Sequence, residues 1–226
     1  TPNFVFFTKQ DYTKKKKYLL AKIKKNFKEK IIVRSSALNE DTNKTSNAGQ
    51  YDSFYINKIT NYNLDAKINK VIEKFKNIND QIIVQRFITN PEISGVVFTK
   101  DINTNSDYYQ IEYDTSKRTD LVTSGNYNPS LKSLIIFKQS KKIPTKFIKL
   151  IKTCKLLENL FLNSRLDIEF CIKNNKLFIL QCRPLLGNNQ LSNINNHKQI
   201  LINLKKKFQK LNLKVPQIFG EKTILS

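Results

Sequence analysis

Two spacings of apolar residues recur along the chain. Residues 3–8 (NFVFFT) read as a short apolar strand, and a helix follows, capped by Asp11, with Leu19, Leu20, Ile23 and Phe27 three and four apart on one side. The lysine run at 14–17 is its solvated face. Residues 30–33 form a second strand, residues 51–56 return by alternation of aromatic and small side chains, and Leu64, Ile68, Val71, Ile72 and Phe75 mark a helix over 63–78. Strands are predicted at 81–87, 93–99, 108–113 and 131–137. Pro144 opens a helix with the stripe Phe147, Ile151, Cys154, Leu157 and Phe161. Strands at 166–172 and 177–182 flank the turn Lys173-Asn174-Asn175-Lys176, which predicts a hairpin. After an Asn-rich linker, a helix over 193–210 carries Ile194, Leu201, Leu204, Phe208 and Leu211 at steps of three and four. His197 falls on that stripe as a packed or edge residue rather than a catalytic one.

Hairpins mixed with helices, instead of strict alternation of strand and helix, predict an α+β architecture with a largely antiparallel sheet. The 226 residues suffice for one sizeable core or for two small lobes sharing a cleft. No apolar run approaches the ~20 residues that span a bilayer, so no membrane role is expected. Methionine is absent even at position 1, so the chain reads as a processed or excised piece.

Composition changes this picture in two places. The formal charge of +22 suggests nucleic acid, and a basic nucleic-acid-binding module is the alternative function. Only five of the 40 basic residues are arginine, however, and Lys, Asn and Ile all have AT-rich codons, so a diffuse lysine surplus needs no polyanionic partner. No specific nucleic acid is therefore expected. The three cysteines, Cys154, Cys171 and Cys182, have no metal-ligand spacing and cannot all pair, which fits free thiols in a reducing cytoplasm; Cys171 and Cys182 read as small core residues.

Two stretches carry candidate chemistry. In IIVRSSALNEDTNKTSNAGQYDSF (31–54), Arg34 and Gly49 stand at the two ends of a small, polar loop. A loop that folds over a polyphosphate wants both: glycine lets backbone N–H groups approach, and arginine supplies fixed charge. In LDIEFCIKNNKLFILQCRP (166–184), Asp167 and Glu169 share one strand face, and Gln181 and Arg183 share a face of the next strand. Two readings fit this hairpin. Glu169 and Gln181 could offer oxygen ligands to Mg²⁺, with Arg183 stabilising phosphate charge, or Asp167 or Glu169 could simply pair with Arg183 at a sheet rim.

VRSSALNED…NAGQYDSF, VQRFI…SGVVFTKD and LDIEF…LFILQCRP resemble, in order and approximate spacing, the nucleotide-binding domain of the phosphoenolpyruvate synthase and pyruvate phosphate dikinase family. The resemblance covers residues 1–185 and includes the opening TPNFVFFTKQDY. It implies an ATP-grasp-like fold of two lobes, with ATP and Mg²⁺ held between them. By the same resemblance Arg34 contacts the ATP phosphates, Gly49 and Gln50 end the phosphate-covering loop, Gln85, Arg86 and Phe87 border the adenine, and Thr99 lies along the nucleotide. Glu169 and Gln181 correspond to the metal-bearing pair, and Arg34 and Arg183 to the catalytic arginines. The family's Gly-Leu-Gly-Glu stretch is replaced by IEYDTSKRTDLVTSG, similar to a branch associated with capsule loci that includes glutamine kinases. The implied organisation is a nucleotide-binding domain over 1–187, its start missing, then a linker and helix over 188–226 leading to absent domains. The implied partner is a phosphohistidine domain of the same full-length protein, and the implied location is cytoplasmic.

Overall fold

The computed structural model describes residues 1–36, 41–42, 45–46, 53–117, 130–185 and 197–214; for 41–42, 45–46, 197–201 and 211–214 it describes the backbone alone. Eleven strands and four α-helices run in chain order among them: β1 (Phe4–Thr8), α1 (Lys9–Asn26), β2 (Ile31–Ser36), β3 (Asp41–Thr42), β4 (Thr45–Ser46), β5 (Ser53–Ile56), α2 (Asn61–Glu73), β6 (Gln81–Arg86), β7 (Ile93–Phe98), β8 (Tyr108–Asp114), β9 (Lys132–Phe137), α3 (Ile148–Leu160), β10 (Leu166–Lys173), β11 (Lys176–Pro184) and α4 (His197–Lys214). The expected α+β architecture is present, in two large sheets and the two-stranded β3–β4 sheet, and every pairing among the described residues is antiparallel.

The first sheet has the order β1-β6-β2-β5. Alternation sends Val5, Phe7, Ile31, Val33, Ile56, Ile82 and Val84 to one face, where they pack on Leu19, Leu20 and Ile23 of α1 and on Leu64, Ile68 and Val71 of α2. Helix α1 starts earlier than its apolar stripe suggests. Thr8, not Asp11, is the N-cap: the Asp11 N–H donates to Thr8 Oγ1 at 3.0 Å, and the Thr8 N–H donates to Asp11 Oδ2 at 3.1 Å. This reciprocal box satisfies two orphan donors and puts a carboxylate in the first turn. Helix α2, capped by the Thr60 hydroxyl, ends five residues before the predicted 78. There the Asn77 and Asp80 side chains accept from the local backbone and offer it a turn instead, while Phe75 stays buried.

The second sheet has the order β11-β10-β7-β8-β9. Val97, Tyr109, Ile111, Ile136, Leu166, Ile168 and Phe170 pack on Phe147, Leu150, Ile151 and Cys154 from α3 and the 3-10 turn before it. Gly95 is required here, because a Cβ at this position would lie 2.4 Å from the Glu112 carbonyl oxygen and 3.0 Å from the Phe170 ring. The hairpin β10–β11 turns on Asn174 and Asn175, both left-handed at φ 51° and 57°, as a two-residue hairpin of the right twist needs. Between the Glu169–Gln181 and Phe170–Ile179 pairs the register shifts, leaving Leu180 as the extra residue of a β-bulge.

The segment joining the sheets is tied to both. The Phe87 N–H donates to the Lys30 carbonyl at 2.9 Å, the Glu92 N–H to the Ile172 carbonyl at 2.8 Å, and Lys173 Nζ to the Thr89 carbonyl at 2.6 Å. Helix α4 is described from His197, the predicted start at 193 lying outside the described residues, and Ile202, Leu204 and Phe208 are exposed. Among the described residues no helix is long and apolar enough to cross a membrane.

Candidate functional site

The face of the first sheet away from α1 and α2 carries two cross-strand rows, Phe4–Gln85–Ile32–Tyr55 and Phe6–Ile83–Arg34–Ser53. Arg34 is thus the charged residue of a surface that is otherwise apolar, aromatic or neutral. The corresponding face of the second sheet carries the rows Gln181–Glu169–Val96–Glu112 and Arg183–Asp167–Phe98–Gln110. The bulge at Leu180 creates this set. Were the strand regular through 179–181, Gln181 would share the α3-facing side with Ile179; with the bulge, Gln181 and Arg183 stand beside Glu169 and Asp167 while Cys182 turns to the core.

The two faces meet at one point. Arg34 donates from a terminal guanidinium nitrogen to Gln181 Oε1, across 147 residues of chain. Arg183 Nε donates to Asp167 Oδ2 at 2.9 Å, and both groups are largely withdrawn from solvent. Glu169 lies within the field of all three charges. Burial pushes its carboxyl above the usual range and Asp167 adds to the rise, while Arg34 and Arg183 oppose it. A desolvated carboxylate that neighbouring cations do not fully compensate gains from a further cation.

A cleft of about 480 Å³ opens beside this junction, lined by Phe4, Ile83, Gln85, Arg34, Leu157 and Leu160 of α3 with the capping Phe161, and residues 179–182 of β11. One wall is apolar, and the junction end carries an amide and a guanidinium, a combination that suits a flat apolar group bearing a charged tail. Cys182 lines the same cleft, but burial raises its thiol to about 11, so it is no thiolate nucleophile at neutral pH. Cys154 and Cys171 are buried free thiols.

The structure therefore brings together Arg34, Gln85, Glu169, Gln181 and Arg183, and sets two other expected residues apart. Arg86 follows Gln85 on β6 and points to the opposite face, where it pairs with Glu29 at 2.8 Å. Thr99 is fully buried, its hydroxyl donating to the Ser164 carbonyl at 2.8 Å and accepting from the Leu166 N–H at 2.8 Å. Its hydrogen bonds close the β7–β10 end of the sheet and engage the hydroxyl within the protein. Phe87 packs edge-on against Tyr55, ring centroids 5.0 Å apart, beyond the apolar end of the first sheet's open face. Gly49 and Gln50 lie outside the described residues. Glu112 and Gln110 share the polar face with Glu169, and Gln110 Nε2 donates to Glu112 Oε1 at 3.1 Å. The strict alternation of YYQIEY signals that face, yet sequence reasoning passed over both.

The donor set suits Mg²⁺. Glu169 and Gln181 are directly opposed on a rigid hairpin and supply two hard oxygens. No group of three or more His, Cys, Asp or Glu side chains able to hold a metal occurs among the described residues. A cation held by one or two protein oxygens and completed by phosphate and water is the usual Mg²⁺ arrangement.

Residues 9–81 match the family model described as pyruvate phosphate dikinase, AMP/ATP-binding domain. Over 122 residues the chain is 34% identical to a pyruvate, phosphate dikinase of Rickettsia typhi (strain ATCC VR-144 / Wilmington), covering 52% of this chain and 13% of that protein. It is 26% identical over 204 residues to the uncharacterized phosphotransferase YvkC of Bacillus subtilis (strain 168), covering 69% of this chain and 24% of that protein. Among solved structures, D-alanyl-alanine synthetase A from Vibrio cholerae O1 biovar eltor str. N16961 superposes with a TM-score of 0.47 at 13% identity, over 85% of this chain and 53% of that one. The resemblance read from the motifs is thus matched by the family model over residues 9–81 and extends through both curated relatives, of which the chain spans a minor part.

Proposed function

We propose, from this kinship with the pyruvate phosphate dikinase AMP/ATP-binding domain, that the chain is the ATP- and Mg²⁺-binding portion of a dikinase-type phosphotransferase. Its role is to hold ATP while the β,γ-pyrophosphoryl group passes to a histidine on a swivelling domain of the full-length protein, leaving AMP, after which hydrolysis releases the terminal phosphate as inorganic phosphate and leaves phosphohistidine. Onward transfer to a small acceptor, pyruvate-like or glutamine, belongs to domains beyond these residues.

The observation that carries the reading is the meeting of Arg34 with the Glu169–Gln181 pair across two sheets, at the polar end of an apolar cleft. The apolar wall and buried Gln85 give the base a dry seat with an amide to read its edge. Arg34 turns to the polyphosphate, where a planar fork of donors holds two oxygens at once. Glu169 and Gln181 would hold Mg²⁺, which when bound would supply charge neutralisation to the phosphates. Asp167 holds Arg183 in place, so that its charge meets the transferring group without reorganisation. In phosphoryl transfer, positioning and charge neutralisation supply most of the acceleration. The engagement of Arg34, Arg86 and Arg183 by protein groups also favours this reading over a nucleic-acid surface.

The test uses the full-length protein with ATP and Mg²⁺ and follows its nucleotide products. AMP should accumulate, and Arg34→Ala should slow it on the order of 100- to 1000-fold, the usual loss for one preorganised contact to developing charge. ADP as the sole product, or an unimpaired Arg34→Ala, would refute the reading.

A further inference from the structure

We infer that Arg34 makes the metal site conditional on nucleotide: its guanidinium and a divalent cation compete for Gln181 Oε1, so the cation is taken up with the polyphosphate and poorly without it. The inference rests on the nucleotide reading and adds an order of binding to it. Three observations carry it.

Arg34 already donates to the amide oxygen that Mg²⁺ would use, which puts a fixed positive charge at hydrogen-bond distance from that ligand. A second cation on the same oxygen would face that charge at close range in a partly desolvated site. The partner of Arg34 among the described residues is a neutral amide, whereas Arg183 has the carboxylate of Asp167. A hydrogen bond to a neutral acceptor is weaker than one to an anion, so Arg34 is the arginine that can exchange partners, and a phosphate is the better partner. Finally, Arg34 belongs to the first sheet and Gln181 to the second. Phosphates entering between the sheets can therefore draw Arg34 off without disturbing the hairpin that carries Glu169 and Gln181. The same move removes a competing cation and adds phosphate oxygens that complete the metal's shell.

Mn²⁺ serves as the probe, with free ion counted by electron paramagnetic resonance at pH 8 on the 226-residue chain and no nucleotide present. Wild type should bind Mn²⁺ weakly. Arg34→Ala and the shape-preserving Arg34→Gln should bind it on the order of ten- to a hundred-fold tighter, the span of one hydrogen bond to a charged group. The gain should vanish in Arg34→Ala/Gln181→Ala, and Mn²⁺ should raise the melting temperature of Arg34→Gln more than that of wild type. Calorimetry with Mg·ATP on the same proteins runs alongside, where both Arg34 variants should lose affinity. If wild type binds Mg·ATP but neither Arg34 variant gains Mn²⁺ affinity, the competition is refuted and the nucleotide site stands. If wild type binds no Mg·ATP, the nucleotide reading fails, and the inference with it.

Discussion

In the first sheet, Arg34 stands among Phe4, Phe6, Ile32, Ile83 and Tyr55, and its hydrogen bond leaves the sheet altogether to reach Gln181. In the second sheet, Asp167, Glu169, Glu112 and Arg183 crowd one face, and Arg183 pairs with Asp167 at 2.9 Å. Both sheets are antiparallel and both are backed by helices, so the difference lies in how charge is supported. The hairpin's Arg183 is fixed by its cross-strand neighbour Asp167 one ladder step away. Arg34 has no opposite charge beside it in its own rows and borrows a neutral acceptor from across the cleft. A site divided in this way assembles only when the two sheets face each other, and its more adaptable charge sits on the side with fewer polar neighbours.

The comparison breaks most visibly at Glu169. In the full-length protein, Glu169→Ala should reduce Mg²⁺-dependent nucleotide turnover on the order of 100- to 1000-fold, while the thermal midpoint holds or rises slightly. The rise is expected because burial and Asp167 both disfavour this carboxylate's charge. A variant that melts well below wild type would instead make Glu169 part of the frame.

Gly95→Ala should act on the second sheet alone. The added Cβ meets a backbone carbonyl, which cannot swing aside, so a loss of about 1–3 kcal/mol and several degrees of melting temperature is expected. Hydrogen exchange in the first sheet should change less than in the second.

The acidity of Glu169 sharpens the contrast further. Its folded pKa is raised above the ordinary 4.5, and the metal needs the charged form. Mg²⁺ affinity should therefore fall as pH drops through a point above 4.5, and Glu169→Gln should flatten that part of the profile. The sign for folding is opposite. Without metal, Glu169 destabilises the fold at neutral pH, and protonation relieves this as pH falls through the raised pKa. Measuring affinity by calorimetry and stability by melting, from pH 5 to pH 8 at roughly constant ionic strength, separates the two slopes. The smallest effect should come from Arg86→Ala. An exposed ion pair with Glu29, on the far face from the cleft, contributes about 0–1 kcal/mol, and nucleotide affinity should change by less than about two-fold.

The hairpin was the most legible part of the molecule in sequence. Alternation marks its strands, the paired asparagines mark its turn, and a spacing of two is enough to put Gln181 and Arg183 on one face. The bulge at Leu180 has no such signature, because ILQ reads as ordinary strand, and only the paired partner reveals the extra residue. Grouping Gln85, Arg86 and Phe87 as one edge of a pocket ignored that same alternation, which by itself sends Arg86 away from its neighbours. Thr99 is a different case. Whether a hydroxyl at a strand end faces a ligand or closes the sheet depends on what lies across from it, here Ser164 and Leu166. The early start of α1 was readable as Thr8-x-x-Asp11, a box that the apolar stripe alone does not include. The junction of Arg34 with Gln181 has no local signal at all and was expected only through the resemblance to a known family.

A calorimetric titration of Mg·ATP into the 226-residue chain tests the divided site most directly, run on wild type, Arg34→Gln, Glu169→Gln and Arg86→Ala. The expected result is one site per chain in wild type and Arg86→Ala, strongly weakened by either of the other two substitutions and by withdrawal of Mg²⁺. Binding that persists unchanged in both Arg34→Gln and Glu169→Gln would contradict it, because the nucleotide would then be held somewhere other than between these two faces.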